Sequence, residues 1–358
     1  MKPKFVKALQ FVSFLLAGLV LLYFAFRGID LNDMMLQIRQ ADYSWVALSV
    51  IFAILALVFR SFRWRLLIEP LDERPKLINI FHAINVGYLA NFVFPRIGEV
   101  TRCGILYRTD HIPADRLFGT VIVERIFDVL MSALMLLLIL LLRYDVVGAF
   151  IMEHIMQPAM NSMPGAGSMV WFFAILALVV LAFFVFYKLF GTQLSKFSFL
   201  KKIRDLMQGI VQGIKSVYHV RNIGWFVALN FLIYGMYFMQ TYVMFFALES
   251  TSALGVGDAL FVLVISAFAL ILPVQGGIGA YHWFVSMGLT IFGITREDGM
   301  VYATISHSVT AILFILLGAV SLIFVFYGGK RAGSFAPHGK KLVNDNQQEG
   351  KDAAGQST

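Results

Sequence analysis

Long apolar stretches, separated by short polar segments, run along most of this chain. Six of them are long enough to cross roughly 30 Å of hydrocarbon as a helix that rises about 1.5 Å per residue. They lie at about 5–26, 43–68, 116–142, 169–190, 222–248 and 300–327. Two further apolar segments, 77–95 and 256–293, are each interrupted by proline and glycine. The pattern predicts an all-α, polytopic membrane protein with about six full spans and two broken or re-entrant helical hairpins.

The two interruptions are the most informative features of the pattern. Their sequences are Asn91-Phe-Val-Phe-Pro95-Arg96-Ile-Gly98 and Pro273-Val-Gln275-Gly276-Gly277-Ile-Gly279. A break in a membrane helix frees backbone polar groups, so it must lie inside protein or line a wet cavity. Breaks in corresponding positions of two halves point to a binding site near the bilayer midplane. We therefore expect the two breaks to face each other in an inverted repeat, with Asn91, Pro95, Gly98 and Pro273 as hinges.

Lysine and arginine set the expected orientation. Basic residues within 1–7 and 330–341 place both termini in the cytoplasm, and further basic residues flank 77–95 on both sides. Arg60 and Arg63 are among those assigned to the cytoplasmic segment after the second span. The loop 143–168 has one arginine and no lysine, which places it outside. The first hairpin is therefore expected to enter from the cytoplasm. We expect the second to enter from the opposite face and return, although a double crossing by 256–293 satisfies the same topology.

The composition excludes several classes of protein. With 59% hydrophobic residues, 14% charged residues and a mean hydropathy of +0.78, the chain is not a soluble globular domain. Its net charge of +8 does not indicate nucleic-acid binding, because the basic residues lie in loops and at the ends. Cys103 is the single cysteine, so an intramolecular disulfide and a cysteine metal cluster are excluded. We expect no metal and no cofactor.

The transmembrane domain is expected to cover 1–327. Its first helix has no small-residue cleavage site and is expected to be retained. Residues 196–220 combine apolar side chains at three- and four-residue spacing with basic residues, which predicts a cytoplasmic interfacial amphipathic helix. An ordinary amphipathic connector explains the same pattern. The polar segment 328–358 is expected to be a disordered cytoplasmic tail.

Charged residues follow the first break at intervals of three. If the chain is helical from Pro95, then Arg96, Glu99 and Arg102 share one face. Proline is tolerated at a helix start, and the free amides there attract an anion such as a phosphate. Arg96 beside those amides is expected to strengthen such a site. The alternative is that Arg96 and Arg102 only neutralise Glu99 and anchor the hairpin.

A second charged group, Glu124, Arg125 and Asp128, lies near the start of the span at 116–142. Three charges inside an apolar span are costly unless they are paired or hydrated. We expect their partners to be Arg96 and Arg102 on the neighbouring hairpin. A purely structural ion-pair network and a role in proton coupling or headgroup contact both stay open.

The second break offers exposed backbone. Successive amides in the turn formed by Gln275, Gly276, Gly277 and Gly279 can bind an anion, although a tight turn between two half-helices explains the same glycines. His282 follows the turn and is a candidate substrate-binding residue, and His307 in the last span is a second candidate functional histidine. Either histidine can serve simply as a hydrogen-bond partner. His82, Asn85 and Asn91 place polar groups on the first hairpin, where they are expected to line the same cavity.

Taken together, three motifs resemble those of the flippase-like transmembrane domain of lysylphosphatidylglycerol synthases. They are Pro95-Arg96-x-Gly98-Glu99-x2-Arg102, Glu124-Arg125-x2-Asp128 and Leu272-Pro273-x2-Gly276-Gly277-Ile-Gly279. The resemblance covers about 5–327 and implies translocation of aminoacylated phospholipids or related lipid-linked molecules between leaflets. It also implies that the charged residues of the first two motifs and the glycines of the third contact the substrate, with Pro273 carried over as a hinge.

The chain departs from that family in two ways. The soluble aminoacyl-transferase domain of its bifunctional members is absent from this sequence, so we expect no synthesis of lysylphosphatidylglycerol. Family members also often carry a glutamate shortly after the glycine turn, where this chain has Ala280-Tyr281-His282. A carboxylate favours a cationic headgroup and a neutral histidine does not, so the departure bears on the substrate.

We expect a lipid flippase or transporter of the bacterial cytoplasmic (inner) membrane, acting on a phospholipid or a lipid-linked molecule. The alternatives are an ion-coupled transporter of a small anion and a non-catalytic membrane partner of lipid-modifying enzymes. An enzyme is not expected, because the sequence shows no metal-ligand set and no nucleophile–base pair. The expected protein partners are a second copy of the chain or a lipid-synthesising enzyme.

Overall fold

The computed structural model describes residues 3–152, 156–157, 222–272 and 274–332, and this part of the chain is helical without any strand. In chain order the helices are α1 (Pro3–Phe26), α2 (Leu31–Gln40), α3 (Tyr43–Ile68), α4 (Leu77–Val93), α5 (Gly98–Asp110), α6 (Ala114–Leu142), α7 (Tyr144–Ile151), α8 (Ile223–Phe245), α9 (Val256–Ile271), α10 (Ala280–Thr290) and α11 (Arg296–Ala332). Short 3-10 turns occur at Glu69–Leu71, Glu249–Thr251 and Gln275–Gly277.

Within the described residues, four helical segments are long and apolar enough to cross a membrane, and they confirm an all-helical, multi-pass membrane protein. They are Tyr43–Leu71, Ala114–Leu142, Ile223–Phe245 and Arg296–Tyr327. Their positions match four of the predicted spans, and the predicted span at 5–26 is helical as α1. The predicted span at 169–190 and the predicted interfacial helix at 196–220 lie outside the described residues. The helix α11 continues to Ala332, and the rest of the predicted tail is also outside them.

Helices α4 and α5 form the first hairpin. At its open end, Asn79 Nδ2 donates to both carboxylate oxygens of Asp110 at 3.1 Å. Near its tip the two backbones touch, because a Cβ on Gly87 would lie 2.9 Å from the carbonyl oxygen of Gly98. The amide of Gly98 donates to Asn91 Oδ1 at 2.8 Å. The structure therefore confirms a broken helical hairpin here, with the second arm starting at Gly98.

Helices α9 and α10 form the second hairpin, with the Gln275–Gly277 turn at its tip. The two arms run antiparallel, because Gly288 of α10 packs against Ile265 of α9 and leaves no room for a Cβ. The arms have 16 and 11 residues, fewer than the roughly 20 that a full crossing needs, which supports entry and return over a double crossing. Gly277 and Gly279 have φ of 76° and 83°, a backbone that residues with a Cβ rarely adopt.

The last helix, α11, packs first against the second hairpin. Gly299, near the start of α11, touches the backbone of Ser286 in α10, since a Cβ on Gly299 would lie 2.9 Å from the Ser286 carbonyl oxygen. Further along, the His307 ring lies 5.1 Å from the ring of His282, centroid to centroid. The contacts therefore run from the open end of the second hairpin toward its tip.

The same helix then packs against the first hairpin. Phe314 stacks on Tyr88 near the tip with ring centroids 4.3 Å apart, and Phe324 stacks on His82 nearer the open end at 5.3 Å. From Gly299 to Phe324 the helix rises roughly 37 Å at about 1.5 Å per residue, comparable to the hydrocarbon core of roughly 30 Å. The two hairpins thus follow each other along α11, tip toward tip, with their open ends at opposite ends of the helix.

Helices α3, α6 and α8 form a wall beside the first hairpin. α3 packs lengthwise along α8, and α6 packs across α3 and α5. Trp64 of α3 is fully buried, and its indole Nε1 donates to Thr120 Oγ1 of α6 at 2.9 Å. This wall carries the polar side chains of α3 and α6 to the tip of the first hairpin.

Candidate functional site

The tips of the two hairpins are joined by polar contacts. Arg96 Nη2 donates to the carbonyl oxygen of Ile271 at 2.6 Å, and Gln275 Nε2 donates to the carbonyl oxygen of Val93 at 3.2 Å. The ring of Phe92 lies against Gly276 and leaves no room for a Cβ there. Each hairpin therefore satisfies backbone groups that the break in the other one frees, as burial in a membrane requires. The expected meeting of the two breaks is confirmed, and Pro273 itself lies outside the described residues.

Arg96 does not lie where the spacing suggested. Its backbone is left-handed, with φ of 64°, and α5 begins two residues later at Gly98. The expectation that Arg96, Glu99 and Arg102 share one helical face is therefore wrong for Arg96. Its guanidinium contacts the second hairpin at Ile271. It serves as a brace between the tips.

A charge cluster lies between α3, α5 and α6. Its members are Arg60 and Arg63 from α3, Glu99 and Arg102 from α5, and Glu124, Arg125 and Asp128 from α6. Four arginines against three carboxylates give the cluster a net charge of +1. Such a group within apolar helices is costly unless its members are paired.

Glu124 is the centre of this cluster, and its side chain is 0% exposed. Its Oε1 atom lies 2.6 Å from Arg60 Nη2, 2.8 Å from Arg63 Nη2 and 3.2 Å from Arg125 Nη2. Its Oε2 atom lies 2.8 Å from Arg102 Nη1. One carboxylate thus joins cations from all three helices and fixes α3, α5 and α6 to one another.

The other two carboxylates are paired less completely. Asp128 lies 2.8 Å from Arg63 Nη1 and 3.0 Å from Arg125 Nη2. Glu99 is 3.9 Å from Arg125 Nη1, and its Oε2 atom is buried with no hydrogen-bond partner in the described part of the chain. The predicted pairing of α6 with the first hairpin is confirmed for Arg102. It is wrong for Arg96.

Sequence reasoning missed Arg60 and Arg63. Both were assigned to the cytoplasmic segment after the second span, because they lie close to its end. Yet Arg63 is fully buried and donates through Nη1 to Asn230 Oδ1 of α8 at 2.7 Å. Their spacing of three within an apolar helix places both on one face, and this was the signal that could have found them.

A cavity of about 50 Å³ lies between the charge cluster and the tip of the first hairpin. Its polar lining comes from Arg60, Asn91, Glu99, Arg102 and Arg125. Arg102 is 4% exposed, and its guanidinium is stacked 4.5 Å above the ring of Trp64. Its Nε and Nη2 atoms have no hydrogen-bond partner within the described residues. His82 and Asn85, also expected in a cavity, do not line this one; His82 instead contacts Ser321 Oγ at 3.0 Å.

The second break forms a tight turn, the simpler of the two alternatives for its glycines. The amide of Gly277 donates to the Val274 carbonyl, and that of Ile278 donates to the Gln275 carbonyl, both at 3.2 Å. One of the amides expected to bind an anion, that of Gly277, is therefore used inside the turn. Gly279 gives the turn its close contact with α1, where a Cβ would lie 2.6 Å from the backbone nitrogen of Leu22.

His282 and His307 lie behind this turn, 5% and 9% exposed. Tyr281 Oη and Ser306 Oγ are hydrogen-bonded at 3.1 Å beside them. Nδ1 of His282 and Nε2 of His307 have no partner in the described part of the chain. The pair lies apart from the cavity, so the structure places His282 with the second hairpin and the last helix. No group of three His, Cys, Asp or Glu side chains suited to a metal occurs among the described residues.

Comparison with known proteins gives a family-level match. Residues 10–318 match the family described as lysylphosphatidylglycerol synthase TM region. The UPF0104 membrane protein MJ1595 of Methanocaldococcus jannaschii is 31% identical over 133 residues, which are 36% of this chain and 38% of that protein. Glycosyltransferase AglD of Haloferax volcanii is 27% identical over 133 residues, 37% of this chain and 21% of that protein. The matched segment thus spans well under half of either relative. No solved structure matches the chain.

Proposed function

This chain belongs to the lysylphosphatidylglycerol synthase transmembrane family, and on that premise we propose that it moves the headgroup of a phospholipid or another lipid-linked molecule between the two leaflets. The proposal includes residence in the bacterial cytoplasmic membrane with both termini inside, and transport rather than catalysis. The name of AglD describes a glycosyltransferase, and this chain matches 21% of that protein.

One observation carries the proposal: two broken hairpins meet tip to tip halfway along α11, beside a buried charge cluster. A polar headgroup cannot cross hydrocarbon without large cost, because its charges lose their water. Irregular backbone and paired charges at that depth supply polar partners in place of water. The acyl chains need no such shelter and can stay in the lipid.

The meeting of the tips also supplies a place for movement. Among the described residues, side-chain hydrogen bonds from Arg96 and from Gln275 join the tips. Each such bond contributes roughly 0.5–3 kcal/mol net, the larger value when a charged group is involved. Separating the tips is therefore within reach of thermal fluctuation, and the hairpins enter from opposite ends of α11. Two hairpins arranged in this way are suited to opening the site toward one leaflet at a time.

The test uses the purified chain in vesicles that contain headgroup-labelled phospholipid. A membrane-impermeant quencher reports how fast label in the inner leaflet reaches the outer one. We expect exchange well above that of protein-free vesicles, and we expect Arg102→Lys, which alters a cation of the buried cluster, to reduce it strongly while the protein stays folded. Exchange equal to that of protein-free vesicles for every phospholipid headgroup tried would refute the proposal.

A second candidate is a transporter of a small anion, and the size of the cavity favours it. A volume of about 50 Å³ suits a few heavy atoms rather than a whole headgroup. Uptake of labelled phosphate or sulfate into the same vesicles separates the two functions. A lipid transporter is expected to show no such uptake.

A further inference from the structure

We propose that the cavity beside the charge cluster binds one phosphate group as a monoanion, as found in a phosphodiester, and that Arg102 is its principal ligand. The inference rests on the proposed function, because it names the part of the headgroup that the site recognises. It differs from the expectation drawn from the spacing of charges, in which Arg96 and the helix start held the phosphate.

The net positive charge of the cluster favours a bound anion. The cluster contains one more arginine than carboxylates. Its five most buried members carry the same surplus, with side chains at most 17% exposed: Arg60, Arg63, Arg102, Glu124 and Asp128. An unbalanced charge in such surroundings is costly. A bound monoanion removes the imbalance, whereas a cationic headgroup increases it. A purely structural ion-pair network has no need of the extra cation.

Arg102 has the geometry for the contact. Its Nη1 atom pairs with Glu124. Its Nε and Nη2 atoms have no partner among the described residues, although the residue is only 4% exposed. Buried donors are nearly always paired in native proteins. Nε and Nη2 form one edge of the guanidinium, and such an edge binds two oxygens of a phosphate at once. Stacking on Trp64 holds the plane of the group in place.

Other lining groups extend this contact. Arg60 lines the cavity at 8% exposure, and its Nε atom also has no partner in the described part of the chain. Arg125 has a side chain that is 42% exposed, so it forms the rim by which a ligand enters. The amide of Gly98, at the start of α5, is occupied by Asn91 Oδ1. The arginines are therefore the charged donors of the cavity, and the helix-start amide of Gly98 is not available to a ligand.

Glu99 sets the preferred charge of the ligand. Its carboxylate lines the same cavity, and its Oε2 atom has no partner within the described residues. A carboxylate repels a doubly charged phosphomonoester more than a singly charged phosphodiester. The volume of about 50 Å³ compares with roughly 10–15 Å³ needed for one water. The space thus suits a single phosphate group, with its ester substituents leaving through the rim.

The experiment measures binding by the full chain in a sugar-based detergent, with three probes: short-chain phosphatidylglycerol, short-chain phosphatidic acid and inorganic phosphate. Ligand-dependent shifts in the melting temperature give the relative affinities. We expect phosphatidylglycerol to bind at least tenfold more tightly than the other two. If inorganic phosphate binds as tightly as phosphatidylglycerol, the ligand is the free ion and the phosphodiester assignment is overturned.

Variants test the residues. Arg102→Lys keeps the charge beside Glu124 and removes the two-donor edge, so we expect at least a tenfold loss of phosphatidylglycerol binding. Arg108→Lys is the matched control, because Arg108 lies on the same helix with its guanidinium 4.4 Å over the ring of Phe326, outside the cluster. We expect this control to bind as the unmodified protein does. Equal binding by Arg102→Lys and Arg108→Lys would overturn the proposal.

A gain of binding guards against a folding defect. Glu99→Gln removes the opposing carboxylate, so we expect phosphatidic acid to bind at least fivefold more tightly relative to phosphatidylglycerol. A misfolded variant cannot produce that change, and an unchanged ratio contradicts the role given to Glu99. These measurements do not depend on transport. Binding without leaflet exchange upholds the site and rejects the proposed function, and exchange without binding does the reverse.

Discussion

Replacing Glu124 by glutamine tests whether the charge cluster holds the fold together. The side chain is 0% exposed, and three arginine nitrogens lie within 2.8 Å of its two oxygens. Glutamine keeps the shape but not the charge, so four arginines then face two carboxylates and the net charge of the cluster rises from +1 to +2. Breaking a buried ion pair by removing one partner costs about 3–5 kcal/mol.

Thermal unfolding of the purified protein measures this cost. At roughly 2 °C per kcal/mol, the lower end of the range for mid-sized proteins, Glu124→Gln is expected to melt roughly 6–10 °C below the unmodified chain. Glu69→Gln is the matched control, because Glu69 and Arg65 form a pair at 3.4 Å with side chains 31% and 39% exposed. A partly exposed pair of this kind contributes about 0.5 kcal/mol or less. If the two variants melt together, the central role of Glu124 is wrong.

A double variant separates charge imbalance from a loss of packing. Arg63 lies 2.8 Å from Glu124 and is fully buried. Adding Arg63→Gln to Glu124→Gln returns the cluster to a net charge of +1. We expect the double variant to lose at least about 1 kcal/mol less than the sum of the two single losses, since residues in one network do not act additively. Simple additivity would mean that the two side chains act independently.

Two further predictions concern the tips. Gly279→Ala places a Cβ 2.6 Å from the Leu22 backbone nitrogen, whereas the Cβ of Gly28→Ala meets nothing within 4 Å at the same φ of 83°. We expect Gly28→Ala to cost about 1 kcal/mol of stability from backbone conformation alone. Gly279→Ala is expected to lower the melting temperature clearly more than Gly28→Ala does. Replacing both Arg96 and Gln275 by alanine removes the hydrogen bonds between the hairpins. Hydrogen–deuterium exchange is expected to quicken at the tip amides and to stay unchanged at the open ends, and a uniform change would contradict the tip contact.

The sequence predicted the long helices, the two hairpins and the meeting of their tips. Each of these follows from local physics: hydrocarbon thickness sets helix length, and a proline–glycine break cannot be left in lipid. The pairing of Arg102 with Glu124 was also predicted, because a charge in an apolar span needs a partner close by. Glycines at 277 and 279 with positive φ fit the same local logic.

The direction of Arg96 was not predictable from spacing. Pro95 is acceptable at a helix start, so a helix from Pro95 was a sound expectation. The actual start at Gly98 depends on a distant contact, since Gly98 packs against the Gly87 backbone and binds Asn91 Oδ1. The chain between Pro95 and Gly98 must turn sharply to make that contact, and Arg96 takes the left-handed backbone as a result.

The roles of Arg60 and Arg63 depend on packing in the same way. An arginine near the end of an apolar span can belong to a cytoplasmic loop or can be a buried cation. The sequence pattern is the same in both cases, and the position of α6 decides which of the two applies. Glu124 gives the decisive contact, because α3 and α6 can bury its carboxylate only if both arginines turn inward.

The composition of the cluster argues that its role goes beyond holding helices together. Apolar side chains of similar volume stabilise a buried interface at least as well as ion pairs do, because charges pay for desolvation. A structural network would also be expected to balance its charges and satisfy its donors. Within the described part of the chain this cluster does neither, since it has a surplus cation and one edge of the Arg102 guanidinium beside a cavity has no partner. It lies beside the tip of the first hairpin, which contacts the tip of the second, so these donors are placed where the two breaks meet.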